Sequence, residues 1–131
     1  MAQSNNHHSM KRTVCIVDDS EDMRDVLARL MRSVGLTPEV YDSAEAFLRR
    51  GHGSETGCLL LDVQLGGMSG LDLLDQLSGN GLTYPVFIIT GEHDIRTMAR
   101  ASRHRAIMVY KPFDAYALAR DVLRSLDEAA S

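Results

Sequence analysis

The order of apolar segments predicts a doubly wound α/β domain, a five-stranded parallel sheet covered by helices on both faces. Two observations carry this. Four short apolar runs are continuous, the pattern of strands buried on both sides, and a shorter extended piece lies between the first two. After each run, apolar residues recur on the helical period or short connections follow, as expected of segments that cover a sheet. Strict alternation with short loops implies right-handed crossovers, and hence parallel strands.

Residues 14–17 (VCIV) read as the first strand. Met23, Val26, Leu27, Leu30, Met31 and Val34 then stripe one face of a helix. Asp19 or Ser20 can cap its start, and Gly35 can stop it in a left-handed conformation. A short extended piece, 39–41, follows Pro38. Ser43 can cap a second helix, which runs through Arg50 and ends at Gly51, and 52–57 read as loop. The third strand, 58–61 (CLLL), stops at Asp62, and Gly66, Gly67 and Gly70 follow in a tight loop. Leu71, Leu74 and Leu77 mark the third helix. The fourth strand, 85–89 (PVFII), ends at Thr90-Gly91, and 94–103 read as helix. The last strand, 106–110 (AIMVY), ends at Lys111-Pro112. Leu118, Ala119, Val122, Leu123 and Leu126 stripe a final helix.

A chain of 131 residues is the length of one domain with a single sizeable core. With 44% hydrophobic and 24% charged residues it is globular rather than disordered. A net charge of -4 favours neither nucleic acid nor an anionic membrane surface as partner. No apolar run approaches the length of a bilayer span. Residues 1–11 are polar, lack an apolar signal core and read as a flexible leader. Cys15 and Cys58 each lie in an apolar run without CxxC spacing, which reads as two buried thiols in a reducing cytosol, with a disulfide or redox pair as the alternative.

Ligands of an open parallel sheet bind beyond the carboxyl ends of its strands. The first strand delivers Asp18 and Asp19 there, the third Asp62, the fourth Thr90 and the fifth Lys111. Two unit charges about 4 Å apart repel by roughly 4 kcal/mol at an effective dielectric of 20. Clustered carboxylates therefore either take up protons more readily or bind a cation. An oxygen-only ligand set suits Mg²⁺; calcium is disfavoured because no EF-hand spacing is present. Bound Mg²⁺ commonly serves a phosphoryl group, and a carboxylate can itself be the nucleophile that accepts one.

Asp18-Asp19, Asp62, Thr90-Gly91 and Lys111-Pro112-Phe113, in this order at strand ends, resemble the site of response-regulator receiver domains of two-component signalling. The motif GMSGLDLL at 67–74 resembles the loop that follows the family's phosphoacceptor. The resemblance covers residues 12–128 and leaves 129–131 as a tail. It implies a flavodoxin-like (βα)5 fold with strand order 2-1-3-4-5. It also implies a cytoplasmic signalling domain, not an enzyme, that accepts a phosphoryl group from a histidine kinase on Asp62. The domain would then signal to a protein partner or output domain, without membrane or direct nucleic-acid binding. By resemblance Asp19, Asp62 and the Gln64 carbonyl ligate Mg²⁺, and Asp18 acts through a metal-bound water. Lys111 and Thr90 would contact the phosphoryl group, with help from the Gly91 amide. Gln64 and Glu92 would tune hydrolysis, and the Lys111-Pro112 bond would be cis.

Three departures bear on the loop and the relay. Gly66 stands where the family usually has proline, which leaves the loop after Asp62 less restrained. The stretch SRHRAIMV, 102–109, lacks the family's common Ala-Gly, and 90–111 is about one residue short. The aromatic switch position, three before the lysine, is Met108. Tyr110 lies on the same face of the strand, so either can move with Thr90. Arg96, Arg100, Arg103 and Arg105 form a solvated basic face or a docking surface for an acidic partner. Competing functions are a flavodoxin-like cofactor binder, an aspartate phosphatase, and a receiver that acts unphosphorylated. The DDSED stretch would repel a cofactor phosphate, and no DxD pair marks the first strand.

Overall fold

In a computed structural model, described for residues 10–50 and 55–130, strands and helices alternate through the described residues. They are β1 (Thr13–Val17), α1 (Glu21–Ser33), β2 (Thr37–Tyr41), α2 (Ala44–Arg50), β3 (Thr56–Asp62), α3 (Gly70–Gly79), β4 (Val86–Thr90), α4 (Ile95–Arg103), β5 (Ile107–Tyr110) and α5 (Ala115–Ala130). The five strands pair in the order β2-β1-β3-β4-β5 and are parallel, as the sequence predicts. Pro38 lies in β2, which is an edge strand, so its missing N–H leaves no ladder bond unmade in the sheet centre.

The alternation of side chains splits the core into two layers. On one face Val14, Ile16, Leu60, Phe87 and Ile89 pack under α1 and α5, through Leu27, Met31, Leu118 and Val122. On the other, Val17, Leu59, Leu61 and Ile88 pack under α2 and α3, through Phe47, Leu73, Leu74 and Leu77. The central strand β3 is buried along its whole length. Cys15 and Cys58 fall on opposite faces as free, buried thiols. Burial pushes the Cys15 thiol up to about 11 and that of Cys58 further. Among the described residues no helix is long and apolar enough to cross a membrane.

Helix ends follow the caps read from the sequence. Ser20 rather than Asp19 caps α1, its Oγ accepting from the Met23 amide at 3.3 Å. Gly35 takes the left-handed conformation (φ +85°) just after that helix. Ser43 caps α2, accepting from the Ala46 amide at 3.0 Å. Gly51 lies outside the described residues, as does most of the stretch read as leader.

Three details differ from expectation. Val26, on the apolar stripe of α1, is 52% exposed, because the buried line runs through Leu27, Ala28 and Met31. Thr56 and Gly57, read as loop, begin β3. A Cβ at Gly57 would lie 2.7 Å from the Lys11 carbonyl and 2.8 Å from a Leu126 methyl, so this strand position needs glycine for close approach. Helix α5 continues through Ala129 and Ala130, two strong helix formers, where the sequence predicts a tail.

Candidate functional site

Because the strands are parallel, their C-terminal ends share one edge of the sheet. Asp18 and Asp19 lie just beyond β1, Asp62 and Thr90 are the last residues of β3 and β4, and Lys111 follows β5. The structure brings together all five residues that the sequence nominated from strand ends.

One carboxylate oxygen from each of Asp18, Asp19 and Asp62 lies within 4.8 Å of the others. Asp18 and Asp62 are buried and Asp19 is exposed. The Asp18 amide remains bonded to the sheet through the Tyr41 carbonyl at 3.1 Å, which fixes where its side chain starts. Asp18 Oδ1 accepts from the Ser20 amide at 2.9 Å, whereas its buried Oδ2 has no hydrogen-bond partner. Asp62 Oδ1 accepts from the Gln64 amide at 3.1 Å, and Oδ2 lies 3.8 Å from Lys111 Nζ.

Electrostatics follow from this packing. Burial first, then the neighbouring Asp18 charge, push the Asp62 carboxyl up to about 6, against the Gln64 amide and Lys111, which pull it down. Burial likewise raises Asp18. An unpartnered buried carboxylate oxygen beside two more carboxylates is a costly arrangement unless a cation completes it. The donor set is all carboxylate oxygen, which fits Mg²⁺.

Thr90 is buried, and its Oγ1 accepts from the Glu92 amide at 2.9 Å. Its carbonyl accepts from the Lys111 amide at 2.8 Å, which ties the ends of β4 and β5 together. Gly91 is exposed with open space around a would-be Cβ. Gln64 and Glu92 meet across the mouth of the site, Nε2 donating to Oε2 at 2.7 Å. The Lys111-Pro112 bond is cis.

Register distinguishes the two switch candidates. Tyr110 lies opposite Thr90, whereas Met108 lies opposite Ile88, one step deeper in the sheet. Met108 packs against the α2–α3 core layer. The Tyr110 ring instead stacks on His93, with centroids 4.2 Å apart and planes 12° from parallel.

Sequence reasoning missed this stack, since none of the histidines stood out by spacing. It also missed a charged cluster between α3 and α4. Arg100 bonds Asp72 at 3.1 Å and Asp75 at 2.5 Å, and His104 bonds Asp75 at 2.6 Å. Arg100 is thus not part of a free basic face. The one available signal was two aspartates at i and i+3 on α3, and Arg100 on α4 with His104 four residues on at its C-cap.

Comparison with known proteins identifies the family and the fold. The family model described as the response regulator receiver domain matches residues 14–123. The transcriptional regulatory protein FixJ of Azorhizobium caulinodans is 36% identical over 118 residues, covering 89% of this chain and 56% of that protein. The response regulator protein TodT of Pseudomonas putida is 39% identical over 101 residues, covering 76% of this chain and 44% of that protein. The chain therefore spans about half the length of these curated relatives. Among solved structures, full-length FixJ from B. japonicum superposes with a TM-score of 0.82 at 30% identity, over 92% of this chain and 60% of that one. A CheY-like receiver domain protein from Methanospirillum hungatei shares the fold, with a TM-score of 0.84 at 22% identity, over 92% of this chain and 97% of that one.

Proposed function

The chain belongs to the response regulator receiver family, a family of signalling domains, and we propose that it accepts a phosphoryl group on Asp62 from a histidine kinase in the cytoplasm. The observation that carries this is the pairing of Asp62, buried at the end of the central strand, with Lys111 at 3.8 Å beside two further carboxylates. In the reaction a carboxylate oxygen of Asp62 attacks phosphorus. A P–O bond forms as the P–N bond of phosphohistidine breaks, and the electron pair leaves with the imidazole. Lys111 releases Asp62 and follows the charge onto the phosphoryl oxygens.

Asp19, Asp62 and the Gln64 carbonyl would hold Mg²⁺, with Asp18 Oδ2 receiving a hydrogen bond from a water on the ion. When bound, the ion supplies positive charge against the phosphoryl oxygens. Bound there, it would also offset the Asp18 charge that, after burial, raises Asp62. Gln64 and Glu92 border the site and set how readily water reaches the acyl phosphate.

The signal leaves through Thr90. Its hydroxyl turns inward to donate to the phosphoryl group, with the Gly91 amide, and so gives up the Glu92 amide it now accepts from. Tyr110 is the side chain placed to respond, because it lies opposite Thr90. The reader is a protein partner or output domain at the surface of α4, β5 and the start of α5. Ile95 and Tyr116, 82% and 89% exposed, support that surface.

Acetyl phosphate with Mg²⁺ tests the reading. One acid-stable, base-labile phosphoryl group should appear per chain, and Asp62→Asn should abolish it. Labelling that persists in Asp62→Asn, or no labelling of the wild-type chain, contradicts the assignment. The second result would favour a receiver that works unphosphorylated.

A further inference from the structure

Residues 63–69 connect β3 to α3 and carry Gln64, which contacts Asp62. At its base the loop is closed by the Gly70 amide, which donates to the Val63 carbonyl at 3.0 Å. A Cβ at Gly70 would overlap the Asp62 carbonyl, so α3 begins flush against the end of β3. The tip has no such closure of its own. It contains Gly66 and Gly67 in succession, the latter at φ +78°. Two adjacent glycines have the most backbone freedom to lose, so a loop built on them needs an outside restraint to hold one conformation.

Leu65 and Met68, on either side of the glycines, pack against the core layer under α2 and α3, and the polar restraint comes from another element. Glu45, in the first turn of α2, reaches across and its Oε2 accepts from the Met68 amide at 2.9 Å. This bond holds the Glu45 carboxyl below the usual carboxylate range. A Cβ at Gly67 would come within 2.8 Å of the same oxygen, so a larger residue there would push the Glu45 carboxylate aside. At the other end of the loop Gln64 makes two bonds over the site, from its amide to Asp62 and from its side chain to Glu92. Base and tip are thus each pinned by one polar contact and the mouth by two, and of these only the contact at the tip comes from α2.

We propose that Glu45 is a positioning residue for phosphoryl transfer, holding the 64–69 loop so that Gln64 brackets Asp62. The role rests on the reading of Asp62 as phosphoacceptor. Glu45 touches none of the reacting atoms, and acts through Met68 and the loop backbone.

The test uses the full chain, with acetyl phosphate and Mg²⁺ as probe and amide hydrogen exchange as a parallel readout. Glu45→Ala should lower the rate constant of labelling at saturating phosphodonor by about three- to tenfold, the worth of one net hydrogen bond. The Gln64 and Met68 amides should exchange faster in the same variant. Glu45→Gln keeps an acceptor oxygen and should stay within about twofold of wild type, because a neutral bond replaces a charge-assisted one. Gly66→Pro stiffens the loop by another route, and a would-be Cβ there meets nothing within 4 Å. Added to Glu45→Ala, it should restore most of the rate. An unchanged rate in Glu45→Ala overturns the proposal, as does a loss that neither Glu45→Gln nor Gly66→Pro recovers. If the wild-type chain does not label at all, the reading of Asp62 fails. The loop restraint is then decided by the Gln64 amide alone, and an unchanged exchange rate in Glu45→Ala ends it.

Discussion

Helices α1 and α4 each begin a few residues after a strand that ends at the site, yet different forces hold them. Helix α1 buries Leu27, Ala28 and Met31 in the layer it shares with α5. Helix α4 buries only Thr97 and Ala101, and leaves Ile95 82% and Met98 43% exposed. What fastens α4 to α3 is polar, Arg100 and His104 on Asp72 and Asp75. Apolar burial is lost only when a whole layer opens, whereas partly exposed ion pairs contribute little and can be exchanged for water. On the proposed function, α4 is thus the part of the molecule that a charge change at Asp62 is expected to move. The α1 side is the frame against which it moves.

The largest effect that separates the two halves should come from the α1 core. Met31→Ala should cost about 2–5 kcal/mol of global stability, read as a lower urea midpoint at unchanged slope. A loss below about 1 kcal/mol would mean that α1 is no better anchored than α4.

The site between the two halves should answer to pH next most strongly. The folded state holds the Asp62 proton up to about pH 6, whereas an unfolded aspartate releases it near about 4. A group raised in the folded state costs stability once both forms are ionised. The cost is therefore full above pH 6 and gone below about 4. Without divalent cation the domain should become more stable as pH falls through this window, by roughly 2–3 kcal/mol at most. The raised Asp18 acts in the same direction. Asp62→Asn should flatten the profile and stabilise the metal-free domain at neutral pH, and Mg²⁺ should flatten it for the wild-type chain. Chemical unfolding across pH 4.5–8 checks this, and a slope of opposite sign would mean that Lys111 outweighs the carboxylate cluster.

The smallest effect should come from the polar tether. Arg100→Gln should leave the global midpoint nearly unchanged while the amides of α4 exchange faster, and added salt should act on the wild-type chain in the same sense. Slower or unchanged exchange in α4 would show that the tether does not limit its opening.

What was legible in the sequence divides along the same line. The strands could be read because a strand buried on both faces must be apolar throughout, as residues 58–61 are. The site could be read because parallel topology sends every strand end to one edge, so residues far apart in sequence converge without any pairwise signal. The α3–α4 cluster could not be read that way. Arg100 and Asp72 are 28 residues apart, and either is as plausible in water as in a pair. The contact of Glu45 with Met68 and the stack of His93 on Tyr110 are hidden for the same reason. Each joins two exposed or half-buried segments whose meeting depends on how helices and loops settle. Val26 shows a limit even for periodicity, since the stripe of α1 is wider than the strip the sheet can cover.

Phosphorylation of Asp62 is expected to move the weakly anchored side of the molecule and to leave α1 in place. Beryllofluoride, which stands in for the phosphoryl group, offers the direct measurement. Backbone amide shifts should be recorded by NMR with Mg²⁺, before and after its addition. Outside the residues that line the site, the largest changes should fall at 92–112, with Tyr110 and its stacked partner His93 among them. If that stretch stays unchanged while residues of α1 respond, the division between frame and moving part is wrong.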